Sequence, residues 1–348
     1  MSEIDPSYQL LACQYLRVQL EALVKAVWGV RANEYIEPVH QARVASRRIR
    51  EGLRLFSDCF DGKRISAWRR RIRRLTRGLG AARDLDVHID FVEKFLDGLD
   101  QSRAEARPGI ERLLLRLRQR RRVAQPDVVR ALDALDKDNI LADMHGELEK
   151  TLFMLRSHEV QIQSPFVFRQ ASAHIRRRQR GLWAGEHALA DPQDTKGHHQ
   201  LRIDAKKLRY TMEICDAAYD GRLKPVIKAV KDLQSLLGDI HDCDVWAEEI
   251  EAFIEQERQA AIQYFGDAAP FEPLRPGLLL IRDERQAHRE QAFTELLVYW
   301  NQLKQENLWG TLEVLLQSGV GSQSPRPERQ KQPGDVKEEA TDADHAAQ

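Results

Sequence analysis

The spacing of apolar residues predicts helices along almost the whole chain. Leu16, Leu20, Leu23 and Val24 follow one another at intervals of four, three and one, as expected for a helix that buries one face. The same periodicity predicts further helices at about 37–60, 63–80, 84–99, 110–123, 127–158, 166–190, 196–218, 223–238, 242–262 and 277–316. The alternating pattern of β-strands is absent, so the sequence predicts an all-α protein.

The last residues of the chain depart from this pattern. Residues 317–348 contain no aromatic side chain and few apolar ones. Such a segment buries too little surface to offset the entropy lost on ordering. We therefore predict a disordered polar tail at 317–348.

The helical part consists of two similar copies. VHQARVASRRIREGLRLF at 39–56 aligns without a gap on HHQLRIDAKKLRYTMEIC at 198–215, and 12–24 aligns weakly on 171–183 with the same offset. One residue is then skipped, and Leu-Gly-x-x-Arg-Asp-x-Asp-Val at 79–87 matches Leu-Gly-x-x-His-Asp-x-Asp-Val at 237–245. Arg-Pro-Gly also recurs, at 107–109 and 275–277, with a longer offset.

This repetition predicts a tandem duplication. We expect two helical-bundle halves, 8–160 and 164–316, that pack about a pseudo-two-fold axis.

One face of the helix over 39–56 is cationic. At about 100° per residue, His40, Arg43, Arg47, Arg50 and Arg54 share a sector of about 80°. The opposite side of that helix carries the apolar residues Ala42, Ala45, Ile49, Leu53 and Phe56. The second copy presents His199, Arg202, Lys206 and Arg209 in the same way, but has Glu213 where the first has Arg54. Each helix is thus predicted to bury one face and to present a row of cations on the other.

Charge is concentrated although the whole chain has a formal net charge of zero. From Arg43 to Arg83 there are 14 Arg or Lys residues and three acids, a net charge of 14 − 3 = +11. A solvated face is the simplest interpretation, but such faces usually interleave acids at i+4. Like charges also repel by about 1 kcal/mol per pair at 4 Å in water. The cluster therefore indicates a polyanionic partner.

The residue types narrow the choice of anion. Guanidinium groups bind phosphate oxygens in a bidentate manner, and successive helical turns offer one about every 5.4 Å. This favours an extended anion with repeated phosphates. For His40 and His199 three interpretations stay open: hydrogen-bond donors to phosphate, structural residues, or metal and covalent chemistry.

The paired carboxylates Asp84, Asp86, Asp242 and Asp244 allow either acid–base and Mg²⁺ chemistry or a structural role. We favour the structural role. Asp84 and Asp242 would cap helices that start after Leu-Gly, and the acids would hold stripe arginines in place.

Other site classes find no support in the sequence. It contains no P-loop, GxGxxG, HExxH or GxSxG motif, so we predict no enzyme activity, no cofactor and no metal. The four cysteines lack CxxC spacing, which argues against a zinc cluster or a disulfide framework.

The acidic N-terminus is unlike a signal peptide, and no apolar run approaches the roughly 18–20 residues of a membrane span. A cytoplasmic protein is expected.

The two H-x-x-R-x-x-x-[RK]-[RK]-x-R helices, each followed by L-G-x-x-[RH]-D-x-D-V, resemble the CHAD family, the conserved histidine α-helical domain. The resemblance covers about residues 8–316. It implies two helical-bundle halves with a basic central surface that binds inorganic polyphosphate, and some members are associated with storage granules. The CYTH triphosphate-tunnel domain often fused to family members has no motif here, so a stand-alone domain is expected.

The resemblance also implies the ligand residues. In the first half they would be His40, Arg43, Arg47, Arg48 and Arg50, and in the second half His199, Arg202, Lys206, Lys207 and Arg209. Further candidates from the basic clusters and the repeated motifs are Arg54, Arg70, Arg73, Arg74, Arg77, Arg83, Lys228, Lys231 and His241. Glu213 and Asp232 depart from the basic pattern, so the share of the second half is open.

The leading hypothesis is non-enzymatic binding of polyphosphate through a basic surface or channel lined by both repeats. The alternatives are a granule-targeting or scaffold protein and a phosphate-handling enzyme. Nucleic acid is a weaker candidate because the stripes carry no interleaved aromatics for base stacking. Membrane association is not expected. The preferred phosphate chain length, the oligomeric state and the biological process are open, as is metal binding by the Asp pairs.

Overall fold

A computed structural model describes residues 4–32 and 36–321 of the chain. The first five helices are α1 (Pro6–Ala32), α2 (Glu37–Leu55), α3 (Gly62–Asp97), α4 (Arg107–Lys137) and α5 (Ile140–Ser157). The next five are α6 (Pro165–Ala184), α7 (Thr195–Cys215), α8 (Lys224–Phe265), α9 (Arg275–Gln305) and α10 (Leu308–Gly321). No strand occurs in these ranges, which confirms the all-α prediction. None of their helices is both long and apolar enough to cross a membrane.

Two helix breaks predicted at Leu-Gly are wrong. Gly80 and Gly238 lie inside α3 and α8, which are continuous over 36 and 42 residues. Asp84 and Asp242 are therefore mid-helix residues and not N-caps. The helix caps lie elsewhere, since the Asp61 carboxylate accepts the Lys63 and Arg64 amides at the start of α3, at 3.1 and 2.9 Å.

Each of these glycines lies beside a stripe arginine, and an added Cβ would only touch it. A Cβ on Gly80 would lie 3.9 Å from Nε of Arg43, and a Cβ on Gly238 would lie 3.8 Å from Nε of Arg202. A single glycine inside a helix costs only about 1 kcal/mol relative to alanine, so neighbouring core packing keeps the helix intact. The recurring Leu-Gly thus marks the place where a stripe arginine crosses the next long helix.

Helix ends that the sequence analysis missed occur at two asparagines. The predicted segments 127–158 and 277–316 are each divided, before α5 and before α10, by Asn139 and Asn307, both left-handed with φ of 51°. The predicted break between 123 and 127 is wrong, because α4 continues through Pro126. Helix α10 reaches Gly321, so 317–321 is helical, whereas the predicted disorder of 322–348 lies outside the described residues.

One hydrophobic core joins helices from both predicted halves. The apolar face of α2, predicted from its periodicity, is fully buried against α1 and α3: Ala42, Ala45, Ile49, Leu53 and Phe56. Trp68 of α3 is also buried, and its Nε1 donates to Asp143 at 2.7 Å. The predicted division between the halves falls in the connection from α5 to α6, and it stays a prediction.

The Arg-Pro-Gly motifs meet where α4 and α9 begin. A Cβ on Gly109 would lie 1.9 Å from the carbonyl oxygen of Leu274, and a Cβ on Gly277 would lie 1.9 Å from that of Ala106. The two helix starts are therefore in direct backbone contact, and only glycine fits at either position. A second apolar cluster, which includes Ile110 and Leu278, covers this contact.

The second aspartate of each Asp-x-Asp pair binds a buried arginine. Asp86 accepts from Arg121 at 2.6 Å, and Asp244 accepts from Arg289 at 2.5 Å. Each pair ties a long helix to the next one, α3 to α4 and α8 to α9. This agrees with the structural interpretation of the Asp pairs.

Gly109→Ala should destabilise the fold by about 2–3 kcal/mol, since the added methyl group would overlap a backbone carbonyl that cannot move away alone. Gly80→Ala is the matched control. It should raise the free energy of unfolding by about 0.5–1 kcal/mol, because alanine has the higher helix propensity and the site is sterically open. Urea denaturation of both variants checks this, and equal effects would contradict it.

Candidate polyanion-binding site

The two cationic helix faces converge. Helices α2 and α7 are in contact, and an Arg47 guanidinium nitrogen donates a hydrogen bond to the Tyr210 hydroxyl. The guanidinium carbon of Arg47 lies 5.6 Å from the centre of the Tyr210 ring, and that of Arg209 lies 4.8 Å from it. Contact with one aromatic ring stabilises both guanidinium groups, since the faces of the ring carry negative charge. This contact brings the stripes of both copies together.

A cavity of about 530 Å³ lies where the two copies meet, and we call it the junction cavity. Its walls come from both of them: His40, Arg43, Arg83, Asp84, His88 and Phe91 from the first, and Arg202, Asp239, His241, Asp242, Trp246, Glu249, Arg285 and His288 from the second, with Val87 and Val245. Five residues predicted from the sequence thus meet in one space: His40, Arg43, Arg83, Arg202 and His241. Arg43 is held by Asp84 at 3.2 Å, so this carboxylate orients a stripe arginine as expected.

The environment of His40, His199 and His241 favours the neutral imidazole. Nδ1 of His199 lies 3.2 Å from Nδ1 of His241, and their rings are 4.3 Å apart. Burial first, and then the charges of Arg202 and His199, lower the pKa of His241 to about 4. Burial also lowers the pKa values of His40 and His199. A neutral imidazole has one N–H group, so the ring of this pair that donates from Nδ1 has no N–H left, and its partner can donate from Nε2 to a phosphate.

The basic side chains also have depressed pKa values. Burial first, and then the charges of Arg47 and Arg202, lower the pKa of Lys206 to about 8. Burial is likewise the first cause of the lowered pKa values of Arg43 and Arg50. The junction cavity itself holds four acids, Asp84, Asp239, Asp242 and Glu249, beside its four arginines, so the excess of positive charge lies in the neighbouring stripe residues and along α3. An incoming anion would favour the charged forms of Lys206, Arg43 and Arg50.

A groove of about 560 Å³ continues from α2 onto α3, and we call it the arginine groove. It is lined by Arg50, Glu51, Arg54, Ser66, Arg69, Arg70, Arg73, Arg74 and Arg77. Of its seven arginines only Arg54 lies within 4 Å of a described carboxylate, that of Glu51. Arg50 links the groove to the junction, because Arg73, Arg77 and Arg47 all lower its pKa in addition to burial. We call the junction cavity and the arginine groove together the polyanion seat.

Several predicted ligand residues lie outside the seat or are already paired. Arg48 pairs with Glu213 at 3.3 Å, and Glu213 also lies 3.7 Å from Arg209. Lys207 pairs with Asp204 at 2.8 Å. Lys228 is 80% exposed and pairs with Asp232 of its own helix at 3.1 Å, while Lys231 is exposed on the same helix. The second copy therefore contributes mainly at the junction.

Sequence reasoning missed some residues of the site. Arg69 lines the arginine groove beside the predicted Arg70, and its position in the basic run was the signal for it. His88, Arg285 and His288 line the junction cavity but stand outside the repeated motifs. His198 is buried with Nε2 3.0 Å from the Ala188 carbonyl oxygen, so it belongs to the core and not to the site.

No group of three or more His, Cys, Asp or Glu residues in the described ranges is arranged to hold a metal ion. The absence of a metal stays a prediction.

Comparison with known proteins places the chain in a family. The family model for the CHAD domain matches residues 14–251, more than half of the chain. Two proteins of Mycobacterium tuberculosis, from strains CDC 1551 / Oshkosh and H37Rv and both named as uncharacterized, are each 30% identical over 249 residues. The match covers 67% of this chain but 43% of each relative, so the chain spans less than half of their length.

Two solved structures share the fold. The crystal structure of the CHAD domain from the plant Ricinus communis superposes with a TM-score of 0.58 at 20% identity, covering 84% of this chain and 89% of the other. PptA from Streptomyces chartreusis gives a TM-score of 0.57 at 18% identity, covering 85% and 100%.

The depressed pKa of His241 predicts a loss of stability in acid. Unfolded imidazoles bind protons below about pH 6.5, whereas native His241 resists protonation down to about pH 4. The native state is therefore penalised as pH falls through this window, by on the order of 2 kcal/mol for this group. His241→Asn should make the free energy of unfolding less dependent on pH between 7 and 4. His145→Asn, at an exposed site on α5, should leave the dependence unchanged. Denaturation at several pH values checks this.

Proposed function

The chain belongs to the CHAD domain family, and from this premise we propose that it binds inorganic polyphosphate in the polyanion seat without catalysing a reaction. The observation that carries the proposal is the convergence of unpaired cations from two repeats. Arg47, Arg202 and Lys206 lie together at the junction, and none of them is within 4 Å of a described carboxylate. A multivalent anion is the partner that relieves this arrangement.

The shape of the seat favours a linear anion over a compact one. Cations follow α2 from His40 to Arg54, a distance of about 21 Å at 1.5 Å per residue. The arginine groove then adds a second row along α3. Because arginine forks bind phosphate oxygens in pairs, successive guanidinium groups suit successive phosphates of one chain.

The lining of the groove also distinguishes polyphosphate from single-stranded nucleic acid. Proteins that bind single strands stack bases on aromatic rings in the binding groove. The nine residues of the arginine groove include no aromatic one. Phe91 and Trp246 line the junction cavity, but Trp246 is only 3% exposed and the half-buried Phe91 ring already has the Arg285 guanidinium carbon 4.4 Å from its centre. The seat is therefore built for phosphates and not for bases.

We also infer that the two copies are related by the predicted pseudo-two-fold axis. Equivalent groups make equivalent contacts in three places: the Gly109 and Gly277 backbone contact, the two Asp–Arg pairs, and the left-handed asparagines before α5 and α10. The glycine contact is reciprocal between the two copies, as a two-fold axis requires, whereas the other two features recur within each copy. Association with storage granules and a cytoplasmic location stay predictions.

Binding of long polyphosphate should weaken steeply with salt, since each neutralised phosphate releases a counterion. Arg50→Gln combined with Arg73→Gln and Arg77→Gln should weaken binding at least about 100-fold and reduce the salt slope, because charged hydrogen bonds are worth about 1.5–3 kcal/mol each. A titration at two salt concentrations, with polyphosphate, triphosphate and RNA side by side, measures this.

The control removes cations at a distance. Arg258→Gln with Arg275→Gln, near the connection from α8 to α9, should change affinity less than threefold. Binding that survives 1 M salt unchanged would refute the electrostatic mechanism. Unchanged affinity in the groove variant would exclude the arginine groove from the site.

Binding without turnover has its own test. Purified protein incubated with polyphosphate and Mg²⁺ should release no inorganic phosphate above the level of a heat-inactivated sample. Time-dependent release that is abolished by His40→Ala would show that the protein is an enzyme instead.

A further inference from the structure

The C-terminal ends of α2 and α7 are equivalent positions of the two copies but carry opposite charges. At the C-terminal end of α2 stands Arg54, and at the matching position of α7 stands Glu213. The neighbouring helix differs in the same sense. Helix α6 borders the first end and α1 borders the second, and these helices occupy matching places in the two copies.

Aromatic packing holds α6 beside the end of α2. The Tyr8 ring lies 5.1 Å from that of Phe56, which follows α2, and 5.8 Å from that of Phe166 in the first turn of α6. The Tyr8 hydroxyl also donates to the carbonyl oxygen of Leu55 at 3.3 Å. The first turn of α6 is thus packed next to the end of α2, which carries Arg54 of the arginine groove.

The face of α6 near Arg54 is basic. His174, Arg177 and Arg178 lie there within one helical turn, and no described carboxylate is within 4 Å of either arginine. Burial lowers the pKa of Arg178, and Arg54 lowers it further, whereas Glu51 opposes this. Burial likewise lowers the pKa of His174, followed by Arg178, Arg177 and Arg54. The field of the arginine groove therefore continues across α2 onto α6.

The surroundings of the C-terminal end of α7 have the opposite character. The counterparts of the α6 residues are Tyr15, Val18 and Gln19 of α1, which line a pocket of about 360 Å³ together with Arg48 and Glu213. The Glu213 carboxylate pairs with Arg48 at 3.3 Å and lies 3.7 Å from Arg209. The cations at this end are already neutralised, and an approaching phosphate would meet a carboxylate.

We propose that His174, Arg177 and Arg178 form an exit path along which a long phosphate chain leaves the seat, and that Glu213 closes the opposite end. This inference rests on the proposed polyphosphate function. The exit path gives the seat one open edge, so a phosphate chain that is longer than the seat gains its additional contacts only at α6. The part of α2 between His40 and Arg54 is roughly 21 Å long. A phosphate chain no longer than this gains no contacts at α6.

The test compares two lengths of polyphosphate, one within that span and one several times longer. Arg177→Gln with Arg178→Gln should weaken binding of the long chain about tenfold and leave the short chain within twofold of wild type. The matched control is Arg169→Gln with Arg180→Gln, because both arginines lie on α6 on the side away from Arg178. It should change neither affinity by more than twofold.

A rescue variant tests the closed end. Adding Glu213→Arg to the Arg177→Gln, Arg178→Gln variant should restore most of the long-chain affinity, because a second basic edge would then replace the first. Equal weakening for both lengths, or no weakening in the double variant, would overturn the exit path while leaving polyphosphate binding intact. A wild-type protein that binds neither length would instead refute the proposed function, and the exit path with it.

Discussion

The fold depends on a balance within α2 between repulsion on one face and burial on the other. Like charges on its cationic face repel by about 1 kcal/mol per close pair in water. On the opposite face, Ile49, Leu53 and Phe56 are fully buried, and each such side chain contributes about 1.5–3 kcal/mol. Burial exceeds repulsion, so the core can hold the cations in place before any ligand arrives. A groove prepared in this way loses little side-chain entropy on binding.

The same balance explains the electrostatics of the junction. The pKa values of His40, His199, His241 and Lys206 all shift in the direction that disfavours positive charge. A bound anion raises the pKa values of these groups against the effect of burial, so binding of phosphate and uptake of protons are linked. Affinity for a phosphate chain therefore increases as pH falls below the ordinary range of histidine. Stability of the protein without an anion decreases over the same range.

Periodicity along the sequence was sufficient to predict the helices and the two faces of α2, because both depend only on residue spacing. The continuation of α3 and α8 through Gly80 and Gly238 was not predictable in this way, since local rules favour a helix end after Leu-Gly. The structure shows that an arginine from another helix passes over each glycine, which is a tertiary contact. Arg48 illustrates the converse. It belongs to the repeated motif, but its place about 80° from His40 on the helix directs it toward Glu213.

The difference between the two copies follows from the electrostatics of a shared seat. The arginine groove has seven arginines and one acid, whereas the equivalent positions in the second copy hold Arg209, Lys224, Lys228 and Lys231 with Glu213 and Asp232. Two fully basic grooves that meet at one junction would double the repulsion there while serving a single linear ligand. The second copy has Ile227, Asp232 and Ser235 where the first copy has arginines, and this exchange lowers the repulsion. The junction residues Arg202, Lys206 and His241, which face the first copy directly, keep their basic or donor character. One strong groove and one weak one thus give a seat with a defined direction.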